Sequence, residues 1–156
     1  MRRRQEGLAA VETALVGMLA MVLLFSVLEI GRVFFVFNAL EEATRRGARV
    51  ATVCQLNDPA IAEVAILNPS GGGANSTVLA GLTTANTLIE YLDPVGNVLG
   101  NPAGSYGLIR YVRVSIVNFT HSLFIPLFTS TFTLPAFQTT LPAESLGVWP
   151  GGFSPC

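Results

Sequence analysis

The sequence predicts an α+β fold in which a long N-terminal helix packs on a small antiparallel sheet. Three observations support it: an uncharged apolar run from Thr13 to Leu28, an amphipathic continuation of that helix, and later segments that alternate as strands do. The 156 residues are 51% hydrophobic and 12% charged, against about 25% charged in soluble domains. The high hydrophobic fraction excludes a disordered chain, because disorder requires low hydrophobicity and high charge. The formal net charge of -1 gives no basic surface for nucleic acid.

The N-terminal segment predicts a single membrane-spanning helix. Arg2, Arg3 and Arg4 precede an apolar run, residues 8–28, that only Glu12 interrupts. About 20 apolar residues span the hydrocarbon core of a bilayer as a helix. Two alternatives are weaker. A cleaved secretory signal would need a small-x-small site after the run, and a uniformly apolar core helix would need a larger protein around it.

The arginines also predict the orientation of this helix. By the positive-inside rule, the basic residues 2–4 favour a cytoplasmic N-terminus, and the long C-terminal portion that holds both cysteines favours the same arrangement. Four later arginines weigh against it (Arg32, Arg45, Arg46 and Arg49). We expect a single-pass protein with an extracytoplasmic C-terminal portion.

Beyond the membrane, the helix is expected to continue to about Val53. Apolar residues recur there at three- and four-residue steps. Glu29 and Arg32 are three positions apart and can pair on one helix face, either as ordinary interfacial charges or in a specific role. Gly47 costs about 1 kcal/mol relative to alanine inside a helix, so it either permits close packing or marks a weak point. Two acid-before-base pairs at four-residue spacing predict an exposed face (Glu41–Arg45 and Glu42–Arg46).

The C-terminal portion is expected to supply the sheet. Its alternation and its turn residues predict a short helix over residues 59–67, a glycine-rich loop over 68–76 and a strand over 87–92. A proline–glycine turn over 93–97 and a second strand over 109–118 follow. The last two elements are an apolar link over 121–128 and a final β segment over 131–141 that Pro135 breaks. His121, at the start of the link, is expected to be a loop histidine. The sheet should bury one face on the distal half of the helix.

No catalytic, cofactor or metal site is predicted. His121 is the only histidine, and no serine lies in a nucleophile-elbow pattern. Glu12 and Glu29 would lie about 25 Å apart along a helix, too far for a carboxylate pair. The glycines at 71–73 are not followed by the lysine of a phosphate-binding loop. We therefore expect no enzyme activity, no cofactor and no small-molecule substrate.

Cys54 and Cys156 are the two cysteines, and both are expected on the side of the membrane where disulfides persist. A bridge between them would close a loop of about 100 residues and could stabilise the fold by about 4–5 kcal/mol. Free thiols, or pairing between chains, are the alternatives.

The junction between the basic leader and the apolar run resembles the processing signature of type IV prepilin-like proteins. In that class a membrane aspartic peptidase cuts after the glycine, here Gly7, and leaves the next residue, Leu8, as the new N-terminus. A glutamate is the fifth residue after the cut, and Glu12 holds that position. The resemblance implies that the free amine of one subunit pairs with this carboxylate of its neighbour, which is less costly than burying either charge alone.

The chain also resembles the TadE-like family, which comprises pseudopilins or minor pilins of tight-adherence (Flp) pilus systems. Four runs of residues carry the resemblance (7–15, 29–32, 38–40 and 46–51). It implies a pilin-like fold that begins with a cleaved leader, residues 1–7, and a transmembrane helix, residues 8–29. The helix continues outside the membrane over residues 30–56, and a periplasmic α+β domain covers residues 57–156.

The resemblance implies a non-enzymatic subunit that a prepilin peptidase cuts after Gly7 and that takes part in assembling a Flp-type pilus for adhesion. The implied location is the bacterial inner membrane, with the N-terminus cytoplasmic; incorporation into a surface pilus is left open. The implied partners are the membrane, the peptidase, other pilin subunits and the pilus assembly machinery. The alternative is an uncleaved single-span membrane protein with an extracytoplasmic scaffold or binding domain.

Overall fold

The computed structural model describes residues 2–68, 72–125, 128–154 and 156. The chain divides into two compact units, one of Met1–Phe35 with His121–Phe132 and one of Val36–Thr120 with Thr133–Cys156. A long N-terminal helix and small antiparallel sheets confirm the predicted α+β class. Residues 69–71 of the predicted glycine-rich loop, residues 126–127 of the predicted apolar link and Pro155 of the tail lie outside the described residues.

Helix α1 runs from Arg2 to Val53 without a break, and its C-terminal end is where the sequence predicts it. The last carbonyls of a helix have no partner within the helix. Here the oxygen of Thr52 accepts from the amides of Glu144 and Leu146, and the oxygen of Val53 accepts from Gly147 at 2.7 Å. The C-terminal tail therefore caps the helix.

Helix α2 covers Pro59–Ala65, within the short helix that the sequence predicts. Asp58 caps its N-terminus by accepting from the amide of Ala60 at 2.9 Å, and Pro59 fits the first turn, where an amide hydrogen would be unpaired. Two 3-10 helices follow, Thr84–Asn86 and Tyr106–Leu108.

The strands, in chain order, are β1 Thr87–Leu92, β2 Tyr111–Ile116, β3 Thr120–Ile125, β4 Phe128–Thr133, β5 Phe137–Pro142, β6 Val148–Trp149 and β7 Gly152–Phe153. The second unit contains an antiparallel sheet in the order β1-β2-β5. Its register places Glu90 opposite Arg113, and the two side chains form an ion pair of 3.2 Å. β6 and β7 form a separate two-stranded ribbon near the end of the chain.

The core of the second unit lies between the distal half of α1 and this sheet. It consists of two clusters of buried apolar side chains. One cluster includes Leu40, Ala43 and Ile116, and the other includes Ala51 and Val112. On the same side, the hydroxyls of Thr44 and Thr139 are 3.0 Å apart and join the helix to β5. The predicted burial of one sheet face on this helix is confirmed.

Gly47 is explained by close packing in this core. A Cβ atom at this position would lie 2.6 Å from the Cβ of Ala65 and 3.1 Å from Cγ1 of Val114. Real Cβ atoms are not found at the shorter distance, so only glycine lets α1 approach α2 this closely. The predicted ion pairs lie on the exposed face beside it, and the hydrogen bond from Arg46 lowers the pKa of Glu42.

The predicted apolar link, residues 121–128, is wrong. Its described residues belong to β3 and to the first residue of β4, two strands that pair in a sheet of their own. The predicted final β segment is also divided, because β4 pairs with β3 whereas β5 pairs with β2. Because the residues around Pro126 are almost all apolar, the sequence there does not show the alternation of apolar and polar residues that identifies a strand.

Candidate functional site

Helix α1 exposes its side chains on every face over residues 7–21, and on most faces as far as Phe35. Leu8 is 73% exposed, Leu19 is 62% exposed and Leu28 is 68% exposed. Within the described residues, one helical stretch, Gly7–Val53, is long and apolar enough to cross a membrane. An exposed apolar surface of this extent is covered in the functional state by lipid or by other helices.

Gly7, Leu8 and Glu12 lie together at the start of this surface, and all three are exposed. Apart from its chain neighbours and the backbone of its own helix, no described atom lies within 4 Å of the place where a Cβ of Gly7 would be, so the described packing does not require glycine there. Glu12 lies about one helical turn after Leu8. A carboxylate in an apolar helix is costly in a membrane unless it finds a partner, so this residue is a functional candidate.

The second carboxylate of the helix, Glu29, is 6% exposed and belongs to a cluster of charges within the first unit. Nη1 of Arg32 donates to both of its oxygens, at 3.1 and 3.2 Å. Nε2 of His121 lies 3.2 Å from Oε1 of the same carboxylate. The three-residue spacing thus produces the ion pair, and β3 adds a third member.

His121 is not the loop histidine that the sequence predicted. It lies in β3, it is 4% exposed, and its ring packs edge-on against Phe132 with centroids 5.6 Å apart. With the proton on Nε2, the imidazole donates to Glu29, so each buried polar group has a partner. The sequence contains one indication of this role, because His121 is the only residue between Arg113 and Glu144 that can carry a charge. A polar side chain in so apolar a segment requires a partner when it is buried.

The cluster continues into an aromatic contact and a cavity. The guanidinium carbon of Arg32 lies 5.0 Å from the centre of the Phe124 ring, within the range of cation–π attraction. A cavity of about 320 Å³ lies beside it and is lined by apolar groups of the helix and by Leu123 of β3, together with Ser26 and Glu29. This arrangement fastens β3 to α1, and the hydroxyl of Ser26 donates to the carbonyl oxygen of Val22 at 2.7 Å.

Cys54 and Cys156 form a disulfide in the second unit, with their Cα atoms 5.6 Å apart. Cys54, just after the end of α1, is fully buried, and the amide of Cys156 donates to Oδ2 of Asp58 at 2.9 Å. The bond joins the last residue of the tail to the end of the long helix. Among the described residues, no group of three or more histidine, cysteine, aspartate or glutamate side chains could hold a metal ion.

Comparison with known proteins gives one match. No curated protein and no solved structure matches the chain. The family model described as TadE-like protein matches residues 7–49. The match includes Gly7, Leu8, Glu12, Glu29 and Arg32, whereas the sheets and both cysteines lie outside it. The match confirms the predicted resemblance to TadE-like proteins over residues 7–49, and the exposed apolar helix within it suits a location in a membrane.

Proposed function

We propose that the protein is a non-enzymatic pseudopilin or minor pilin, cut after Gly7 by a prepilin peptidase and used in the assembly of a tight-adherence (Flp-type) pilus. One observation carries the proposal. The match to TadE-like proteins begins at Gly7 and covers the part of the helix, Leu8 to Phe35, whose apolar side chains the single chain leaves most exposed.

The first step is removal of the leader. Before the cut, Arg2, Arg3 and Arg4 hold the start of the helix at the cytoplasmic face, because arginine is retained on that side of a membrane. Hydrolysis of the bond between Gly7 and Leu8 consumes one water, leaves a carboxylate on the glycine and creates an amine on the leucine. The mature helix then begins with an apolar residue and has lost its basic anchor.

The second step is pairing between subunits. The new amine at Leu8 lies about one turn from Glu12 of its own chain and can reach the exposed Glu12 of a neighbour packed alongside. In the low dielectric of a helix bundle, an amine and a carboxylate stabilise each other much more than in water. The apolar side chains supply the rest of the contact, and the charge pair fixes the register between neighbouring helices.

The second unit is the part that remains outside the membrane in this proposal. Its disulfide supports an extracytoplasmic location, because such bonds persist in oxidising compartments. The inner membrane is then the site of insertion, with the N-terminus cytoplasmic and the disulfide-closed domain periplasmic. The prepilin peptidase, other pilin subunits and the assembly machinery are the partners.

The test compares Glu12→Gln with Glu144→Gln in cells that assemble the pilus. The two substitutions make the same chemical change, but Glu144 is exposed in the second unit, far along the sequence from the helix. We expect both variants to reach the membrane fraction at the level of the unchanged protein, and only Glu12→Gln to reduce the pili recovered by shearing. Equal pilus yields from both variants would favour the uncleaved scaffold protein instead.

A further inference from the structure

We propose that the β3–β4 hairpin is a second membrane contact, and that Leu123 and Phe124 of β3 enter the lipid interface beside the spanning helix. The occupant of this surface is the bilayer itself. The inference rests on the membrane-spanning helix of the proposed function, but it concerns a part of the chain outside the segment that matches TadE-like proteins.

Glu29 marks the level of the interface on the helix. The apolar run from Leu8 to Leu28 is about the length that crosses the hydrocarbon core. Glu29 and Arg32 are the first charged residues after it. Charged side chains at the end of a membrane helix lie at the headgroup level, where they meet water.

The hairpin begins at this level of the helix. His121 contacts Glu29 at 3.2 Å. Two residues later, Leu123 lines a cavity together with Ser26, one turn before Glu29, and with three residues that follow Glu29 (Ile30, Val33 and Phe34). One turn from Glu29 to Ser26 corresponds to about 4.5 Å along the axis. Leu123 of β3 therefore lies beside the helix where the apolar run ends.

The burial of helix side chains shows that the hairpin extends along α1 towards its N-terminus. Val22, Ser26, Glu29 and Val33 follow one another at four-, three- and four-residue steps and are all partly or fully buried, so they form one face. Leu24, on another face, is 60% exposed. The remainder of the first unit is the segment that forms the hairpin. The hairpin thus covers a face that extends about two turns into the predicted membrane span.

The chemistry of the hairpin suits lipid. No aspartate, glutamate, lysine or arginine occurs between Arg113 and Glu144. Phe124 is 63% exposed, and Arg32 lies against one side of its ring. An exposed aromatic ring next to an arginine at the end of a membrane helix is typical of the interfacial zone. The outer edges of a two-stranded sheet carry unpaired backbone groups, so the hairpin should enter the interface and not the hydrocarbon centre.

Depth-dependent quenching of tryptophan fluorescence tests the inference. Trp149 is the only tryptophan, so Trp149→Phe removes the tryptophan fluorescence of the chain. Adding Phe124→Trp to this variant then places a single fluorescent side chain on the hairpin. Leu19→Trp reports on the helix, and Val95→Trp, in a turn where Val95 is 84% exposed, is the control in water. The full chain is reconstituted, at high lipid-to-protein ratio, in phosphatidylcholine vesicles brominated either near the headgroup or near the middle of the acyl chain.

We expect Phe124→Trp to be quenched at least about twofold more by shallow than by deep bromine, as befits an interfacial side chain. Leu19→Trp should show the reverse order, and Val95→Trp should show almost no quenching. Leu123→Trp, whose indole would enter the adjacent cavity, repeats the measurement if Phe124→Trp changes the circular dichroism spectrum. It should show the same preference for shallow bromine.

Two results would overturn the inference in distinguishable ways. If the hairpin tryptophans are quenched no more than Val95→Trp while Leu19→Trp is quenched, the helix spans the bilayer and the hairpin lies in water or against a second copy of the chain. If Leu19→Trp is not quenched either, the spanning helix of the proposed function fails, and the hairpin contact fails with it.

Discussion

At the scale of single residues, Glu29 shows how a charge is held inside an apolar helix. Its carboxylate is almost fully buried, yet two hydrogen bonds from Arg32 and one contact to His121 surround it. Removing either Glu29 or His121, the two buried members, leaves the other buried without this partner, which costs more than the pair itself contributes. Glu29 therefore fixes the position of β3 on the helix.

Glu29→Ala should loosen the hairpin. We expect a local loss of about 1–3 kcal/mol, because His121 would remain buried with no acceptor. Hydrogen exchange followed by mass spectrometry should show faster exchange in peptides covering Thr120–Ile125, with no change in the β1-β2-β5 sheet.

Glu41→Ala is the matched control, since Glu41 and Arg45 form an ion pair of 3.4 Å with both side chains 58% exposed. Pairs this exposed contribute little to stability. If both variants leave the hairpin peptides unchanged, the cluster does not hold the strand.

Gly47→Ala should destabilise the second unit. Alanine gains about 1 kcal/mol of helix propensity, but a contact of 2.6 Å with Ala65 forces overpacking that typically costs about 1–3 kcal/mol. We expect a net loss of about 1 kcal/mol, seen as a lower Tm by circular dichroism in detergent.

The control for this substitution is Gly31→Ala, because among the described residues only its neighbours in the chain and its own helix backbone lie close to an added Cβ there. It should leave Tm unchanged or raise it slightly. A stabilising effect of Gly47→Ala would show that α1 and α2 separate easily, contrary to the packing described here.

At the scale of elements, the end of α1 is fastened to the C-terminal tail in two ways. Tail amides pair with the oxygens of Thr52 and Val53, and the Cys54–Cys156 disulfide closes the same junction. Gly147 allows the close approach: its φ is +76°, and a Cβ there would lie 2.7 Å from the amide nitrogen of Gln55. The tail is thus part of the helix terminus.

Cys156→Ser should lower the free energy of unfolding of this unit. A native disulfide that closes a long loop contributes about 2–5 kcal/mol. Chemical denaturation of the chain with and without reductant measures the loss. Reduced, unchanged protein should match the variant, whereas a variant as stable as the oxidised protein would mean that the capping hydrogen bonds alone hold the tail.

The elements that could be predicted from sequence are those with local signals. Periodicity extends α1 to Val53, alternation gives β1 its bounds, and proline with glycine marks the turn after it. β3 and the first half of β4 were missed because an apolar run with a central proline has the same composition in a link and in a hairpin. At the site, the Glu29–Arg32 spacing is local, but the contact of Glu29 with His121 joins positions 92 residues apart, and no local pattern encodes it.

At the scale of the whole molecule, the proposed function depends on what covers the apolar surface of α1. A single chain leaves residues such as Leu15 and Leu24 at least 60% exposed. In the proposed function, lipid covers this surface after insertion and neighbouring helices cover it in a filament. The proposal requires loss of the basic leader between these two states, because arginines would otherwise hold the helix at the cytoplasmic face.

The mass of the mature N-terminal peptide tests this account most directly. The protein is purified from membrane and sheared pilus fractions of cells with an active prepilin peptidase, and its N-terminus is determined by mass spectrometry. We predict a chain that begins at Leu8, and a chain that keeps its arginines in cells lacking the peptidase. A chain that begins at Met1 in cells with the active peptidase would contradict the account.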